Sequence, residues 1–482
     1  MIRAYRPFTT TARALSLLIA ALAVLSASTA VLAQTMASSV SQHGITWYFD
    51  QEYEVGQYAN GDWWVLGPVT ITRITPESEE INDPDYGRRW INGTTLNPNG
   101  LSHGYDSSRG AYNHSLNVAP SAAGPLALST GSVVSGISGN RTDTRDRLAI
   151  MDELSVLTVV DSVPPAGAFR PAPYGTDKTS YWTESQVDYS ILQSLPVVDS
   201  APSIEARDRQ LRFWNEQAGN SWQGDQTRSQ YAQSGGYGRN FARYLGDSLL
   251  LLHLDYTDKQ KRDLYIAIIQ YGLDIYHQAD AGRTWDANGG INHGRKAPMI
   301  LAGLALGDKA ILYWGDRGNT RHRCSYGGGC YGYNQFQEDG QTFYVTQGDI
   351  DSSSYPQHYL GVAEYSVRYW QNYSEESDSA SVLNGAPGGC SGSYRYVSSS
   401  FVSHGLAMRL VQGAVDAWNW QPFFDYIDRF AAFDPPCNTD GSTNGISHFA
   451  RAMWDSYREH PVASAMPPSP EVPPASPTLV VE

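Results

Sequence analysis

Apolar and polar positions change their period once along the chain, near residue 175. From about Ser41 up to that point, apolar residues alternate with polar ones over short runs. Val69 and Ile71 interleave with Thr70 and Thr72, and Leu154 to Val160 is an apolar, β-branched run, with Asn, Gly, Pro and Ser clusters between. A period of two bounded by turn residues predicts strands, so 34–175 reads as a β-rich N-terminal region. Its exit is Pro164-Pro165-Ala166-Gly167 through Arg170-Pro171-Ala172-Pro173, where the prolines hold their neighbours out of the helical conformation.

From about Lys178 to His460 the period lengthens to that of a helix. Thr257-Asp258-Lys259-Gln260 has the form of a capping box, and Leu264, Ile268, Tyr271 and Ile275 follow on one helical face. Further helices are predicted at Ser203–Ala218, Asn240–His253, Lys296–Ala305, Tyr359–Tyr369, Val402–Trp418 and Phe423–Phe430, with Glu364 and Arg368 as an i, i+4 pair. Long Gly- and Tyr-rich connections separate them, whereas simple bundles use short ones. The expected fold is therefore mainly α: an (α/α) toroid over 176–460, with helical hairpins ringing a central cleft, behind a smaller β-rich region. Residues 461–482 are dominated by proline and read as an extended tail without a core.

Residues 1–33 have the form of a secretory signal peptide. Arg3, Arg6 and Arg13 precede and flank an apolar run from Ala14 to Leu25, and small residues end at Val31-Leu32-Ala33. Cleavage there would make the chain secreted or periplasmic, beginning at Gln34. The run is short for a bilayer span, and no later stretch offers ~20 consecutive apolar residues, so no membrane association is expected after cleavage. The formal charge is −15. Such acidity excludes nucleic-acid binding through bulk charge, and any site for an acidic ligand must gather its positive charge locally.

In an exported chain the four cysteines read as disulfides. Cys324 with Cys330 would close a glycine-rich loop, and Cys390 with Cys437 would follow, one of three possible connectivities. There is no CxxC or HExxH, so no metal site is assigned, although the sequence leaves open whether a calcium ion assists. The 31 Tyr and 13 Trp suit a glycan groove, because sugar rings present apolar faces to flat side chains. Core packing accounts for most of them. A monomer is expected.

The densest candidate site is Asn288-Gly289-Gly290-Ile291-Asn292-His293-Gly294-Arg295-Lys296, at a loop-to-helix junction. Glycines allow close backbone approach, and a helix N-terminus favours anions, so a substrate carboxylate would fit there. The plainer alternative is that Asn292 caps the helix while Arg295 and Lys296 are solvated. A second glycine loop, Gly235-Gly236-Tyr237-Gly238-Arg239-Asn240, opens another helix. A third segment, Ser352 to Tyr359, supplies Tyr355, His358 and Tyr359. Elimination at a uronate needs donors that neutralise the carboxylate, a base for the C5 proton and an acid for the leaving oxygen, all of which Arg, Asn, His and Tyr can provide.

Gly289-Gly290-Ile291-Asn292-His293-Gly294-Arg295-Lys296-Ala297-Pro298 resembles a segment of secreted α/α-toroid polysaccharide lyases acting on alginate or glucuronan, polysaccharide lyase family 38 in particular. Phe336 to Val345, Leu360 to Tyr369, Trp418-Asn419-Trp420 and Phe424 to Arg429 are similar to further segments of such proteins. The resemblance implies β-elimination on an acidic polysaccharide with no required cofactor. It casts His293 as base or carboxylate partner, Tyr355 or Tyr359 as acid, and Arg239, Asn240, Asn292 and Arg295 around the carboxylate, with Lys296 and His358 nearby and Tyr237 in reserve. Two rivals stand beside it. A glycoside hydrolase would need paired carboxyl groups, for which Asp286, Glu338, Asp339, Asp349 and Asp351 are available. A non-catalytic glycan-binding protein would use the aromatic patches Trp47-Tyr48-Phe49 and Trp63-Trp64.

Overall fold

The alternating N-terminal pattern does fold as strands. In the computed structural model, which describes residues 35–84, 87–99, 102–108, 112–139, 151–207, 212–213, 238–285, 290–316, 324–325, 329–330, 336–352, 357–365, 397–432, 445–460 and 462, β1 (Thr35–Gln42) and β2 (Ile45–Gln57) form a hairpin. Its two turn residues, His43 and Gly44, both have positive φ, the tight-turn geometry that matches strand twist. β3 (Trp63–Leu66), β4 (Val69–Thr75), β7 (Thr94–Leu96), β8 (Leu126–Leu128), β9 (Gly131–Ser138) and β10 (Met151–Val160) complete an eight-stranded sheet. Its order is β7-β9-β10-β3-β2-β4-β8, with β1 also on β2; β3 and β10 run parallel and the other pairs antiparallel. β5 (Glu79–Asp83) and β6 (Gly87–Ile91) form a separate hairpin.

The sheet curls into a half-barrel around Ile45, Trp47, Val65, Ile71, Val133 and Leu157. Each such side chain contributes about 1.5–3 kcal/mol on burial. The Trp47 indole N–H, which could not be left unpaired there, donates to Ser135 Oγ at 3.0 Å.

The helical region begins at α1 (Gly238–Leu251) and α2 (Asp258–Asp280). The capping box at the head of α2 forms as its sequence predicts: Thr257 Oγ1 accepts from the Gln260 amide, and Gln260 Oε1 accepts from the Thr257 amide. α3 (Lys296–Ala305), α4 (Lys309–Asp316), α5 (Gln337–Gln341), α6 (Gln347–Ser352), α7 (Ser399–Leu410), α8 (Ala414–Trp418), α9 (Gln421–Ala431) and α10 (His448–Tyr457) follow. α1 packs on α7, α2 on α3, and α9 on α7, about one core that includes Phe241, Ile269, Ile300, Val402 and Phe423.

This architecture corrects the expected fold class. The chain is mixed α/β, and its helices do not form a clear α/α toroid. They run from 5 to 23 residues, too unequal for a ring of matched hairpins. Across the helix expected at Tyr359–Tyr369 there is instead a 3₁₀ turn, Gln357–Tyr359, and a strand, β14 (Ala363–Tyr365), paired with β13 (Thr342–Tyr344). Glu364 accordingly pairs with Arg429 at 2.9 Å, while Arg368 lies outside the described residues. The predicted helix at Ser203–Ala218 is likewise not formed over 203–207, and the Val402–Trp418 helix is broken between α7 and α8, where Gly413 has a φ of 76°.

Arg170, in the predicted exit linker, joins the two regions. Fully buried, it donates from Nε to Asp62 Oδ2 at 2.6 Å and from a terminal nitrogen to Asp274 Oδ2 of α2 at 2.5 Å. Its backbone exchanges two hydrogen bonds with the Gln270 carboxamide, so the contact is fixed in direction as well as charge.

Candidate functional site

Two glycines allow the site to assemble. A Cβ on Gly238, the first residue of α1, would lie 1.8 Å from the Ile291 carbonyl oxygen, so only glycine lets α1 approach the turn before α3. Gly294, at φ +88°, then swings the chain from that turn into α3. The Arg239 charge thereby comes close enough for the His293 ring to feel it.

His293 is the hub. Its Nε2 lies 3.1 Å from Gln341 Oε1, at the end of α5, and 3.3 Å from the Tyr365 hydroxyl, at the end of β14. Its Nδ1 lies 3.3 Å from Ser400 Oγ in α7. Tyr365 donates to Gln341 Oε1 at 2.9 Å, and Gln337 Nε2 donates to the same oxygen at 2.7 Å. Phe401 packs against the imidazole at 4.3 Å between centroids, and Tyr365 stacks on Tyr426, whose hydroxyl meets Ser398 Oγ. His293 and Tyr365 are both fully buried. Burial lowers the imidazole to about 3, chiefly by desolvation, with Gln341 opposing, so the ring is neutral throughout the ordinary pH range.

The N-terminus of α3 meets a protein carboxylate. Glu338 Oε1 accepts from the amides of Gly294 at 2.8 Å and Arg295 at 3.1 Å, while Oε2 is buried without a hydrogen-bond partner. Desolvation pushes this carboxyl up to about 7, against the pull of the amides. Lys296 Nζ is equally engaged, 2.6 Å from Asp339 Oδ2 and 2.7 Å from the Trp418 carbonyl. Arg295 donates to the carbonyls of Ile291 and His293 and lies over the Phe241 ring. Neither sequence reading of this segment describes it: Asn292 is not the cap, since Arg295 occupies that position, and Arg295 and Lys296 are buried, not solvated. The Asn292 amide donates to Gln337 Oε1 at 2.8 Å. Arg239 donates to the Asn240 side-chain oxygen at 2.9 and 3.1 Å.

The tyrosine brought to His293 is Tyr365, which the sequence reading did not single out. Tyr359 is buried in a different cluster, with Phe343 and Val345, beneath the Arg429 guanidinium. His358 is exposed and packs against Tyr359, while Tyr237 and Tyr355 lie outside the described residues. The signal for Tyr365 was a short Val-Ala-Glu-Tyr run, apolar and polar residues mixed over too few positions to fix a period, within a stretch read as helix. Cys324 and Cys330 are direct backbone partners in a two-residue ladder, β11 (Cys324–Ser325) with β12 (Gly329–Cys330); Cys390 and Cys437 lie outside the described residues, as does the segment 1–34.

Among the described residues no group of three or more His, Cys, Asp or Glu could hold a metal ion, and no helix is long and apolar enough to cross a membrane. Comparison of the chain with protein-family models, with curated proteins and with solved structures finds no match.

Proposed function

We propose that the chain is an exported enzyme that cleaves a uronate-containing polysaccharide, of the alginate or glucuronan kind, by β-elimination at Tyr365 and His293. The observation that carries this reading is the buried, neutral imidazole whose Nε2 shares one tyrosine hydroxyl with the Gln341 carboxamide. A ring this resistant to protonation is a poor base, so His293 serves as the neutral partner that orients Tyr365. Tyr365, whose hydroxyl proton points to Gln341 Oε1 in the resting site, first gives that proton to water admitted as the site is uncovered; its oxygen then takes the C5 proton, the C4–O bond breaks as the C4–C5 double bond forms, and the same tyrosine returns that proton to the leaving oxygen. Arg239 and Asn240 are assigned to the substrate carboxylate. Turnover requires the residues covering His293 to be displaced, because the ring has no contact with solvent.

Hydrolysis is less well supported. Asp339 is committed to Lys296 and Trp418, Asp349 to Thr346, and Glu338 to two amides, while Asp286 lies outside the described residues. A second reading, a glycan-binding protein in which the His293 network only holds helices together, draws on the complete burial of that ring. The deciding experiment incubates the full chain with a panel of polyuronates and follows the near-ultraviolet absorbance of the unsaturated product. Tyr365→Phe and His293→Ala should each lower the rate by about 10²–10⁴, the usual weight of proton-transfer groups. Wild-type rates in both variants would remove the assignment, and binding without product would favour the second reading.

A further inference from the structure

A cleft of about 610 Å³ opens on the N-terminal sheet, lined by residues between Tyr48 and Ala122. That volume is in the range of small-molecule sites, about 300–1,000 Å³. Its floor is built by a β-bulge: Tyr48 pairs with Arg73 and Phe49 with Ile71, which leaves Thr72 as the extra residue on β4. Bulges re-aim side chains, and this one sets Arg73 directly across from Tyr48, with the guanidinium 4.2 Å from the ring centroid. Arg73 is exposed and makes no ion pair among the described residues. Its stacking on Tyr48 favours one placement of the planar fork and leaves its hydrogen-bond donors unused by the ring.

The walls are held as firmly. Asn92, at a left-handed φ of 55°, is pinned by a reciprocal pair with Ser138, at 2.9 and 3.0 Å, and Ser78 Oγ accepts from Asn117 at 2.6 Å. Backbone strain kept in place at a cleft is a recurrent mark of ligand contacts. Glu77 also lines the space, and Ile74 and Pro120 give it an apolar side. A guanidinium stacked on Tyr48 and a carboxylate beside apolar walls match a sugar ring that bears both hydroxyls and a carboxylate: the fork takes the carboxylate and Glu77 accepts from a hydroxyl.

We infer that this cleft is a binding site for a carboxylate-bearing sugar unit of a glycan chain, with Arg73 as its anion-binding group. It stands on the sheet alone and does not depend on the chemistry assigned to Tyr365. The test titrates the full chain with trisaccharides of galacturonate, glucuronate and mannuronate, with maltotriose as the uncharged control, by calorimetry and hydrogen-exchange mass spectrometry. At least one uronate trisaccharide should bind and protect backbone amides within 70–80 and 116–122. Arg73→Ala should weaken binding at least tenfold and abolish that protection, Arg73→Lys should retain part of both, and His293→Ala should leave the protection unchanged even if the protein never turns over. Absence of protection at saturating sugar, wild-type binding by Arg73→Ala, or equal binding of maltotriose would each overturn the inference.

Discussion

Glu338→Gln isolates the electrostatics at the head of α3. The substitution keeps an oxygen to accept from the Gly294 and Arg295 amides but removes a carboxyl that burial holds at about 7, against an ordinary value of 4.5. Because the folded state binds this proton more tightly than the unfolded chain, wild-type stability from this group is complete below pH 4.5 and is lost as pH rises through about 7. Every tenfold difference in proton affinity between the folded and unfolded chain is worth about 1.4 kcal/mol, so the loss amounts to about 3 kcal/mol. The group is fully buried, and solvent screening does not reduce that figure appreciably. The buried histidines tilt the profile the other way: His253, His293 and His404 are held neutral in the fold, so they cost stability as pH falls below 6.5. The informative quantity is therefore variant minus wild type, from urea unfolding followed by tryptophan fluorescence at pH 4.5, 6 and 8. The difference should move in favour of Gln by about 3 kcal/mol between the first and last pH. A difference independent of pH would show that Glu338 is ionised at an ordinary value and that the reasoning from its burial is wrong.

Arg170→Met leaves Asp62 and Asp274 buried without their cation, and breaking a buried pair costs about 3–5 kcal/mol. Burial pushes Asp274 up to about 6, so the loss should be smaller at pH 5, where the carboxyl can take a proton, than at pH 8; equal losses on urea unfolding would contradict that. Cys324 and Cys330 face each other across an antiparallel ladder, where the Cα separation of about 4.5–5.5 Å falls within the disulfide range. Alkylation of the unreduced protein should leave both unmodified, and labelling of either would end the pairing.

The sequence reveals what is decided locally. Thr257 and Gln260 satisfy each other across three residues, and Lys296–Ala305 is an uninterrupted apolar helix, so both elements are where the pattern puts them. Val69 and Ile71 alternate because one face of β4 is buried. β14 escapes this kind of reading. It has three residues, and what makes it a strand is pairing with β13, about twenty residues earlier, which no local period encodes. The toroid expectation fails for the same reason: the helices were legible one by one, but the ring was a statement about contacts between them.

The site was half legible for a related physical reason. Arg295, Lys296 and a helix N-terminus in a chain of charge −15 read as a site for an external anion; in the structure the amides of Gly294 and Arg295 meet Glu338 and the Lys296 ammonium meets Asp339. Glu338 and Asp339 arrive on α5 more than forty residues later and compensate the amides and the ammonium in a buried setting, where an uncompensated charge is costly. A compensating carboxylate carried by the same chain loses less entropy than one captured from solution, so it occupies the position first. Arg73 differs because its sheet supplies no acidic partner within ion-pair distance among the described residues, and an aromatic ring holds it in place instead. By the same electrostatic argument that singled out residues 288–296, the guanidinium on the N-terminal sheet is open to an external carboxylate.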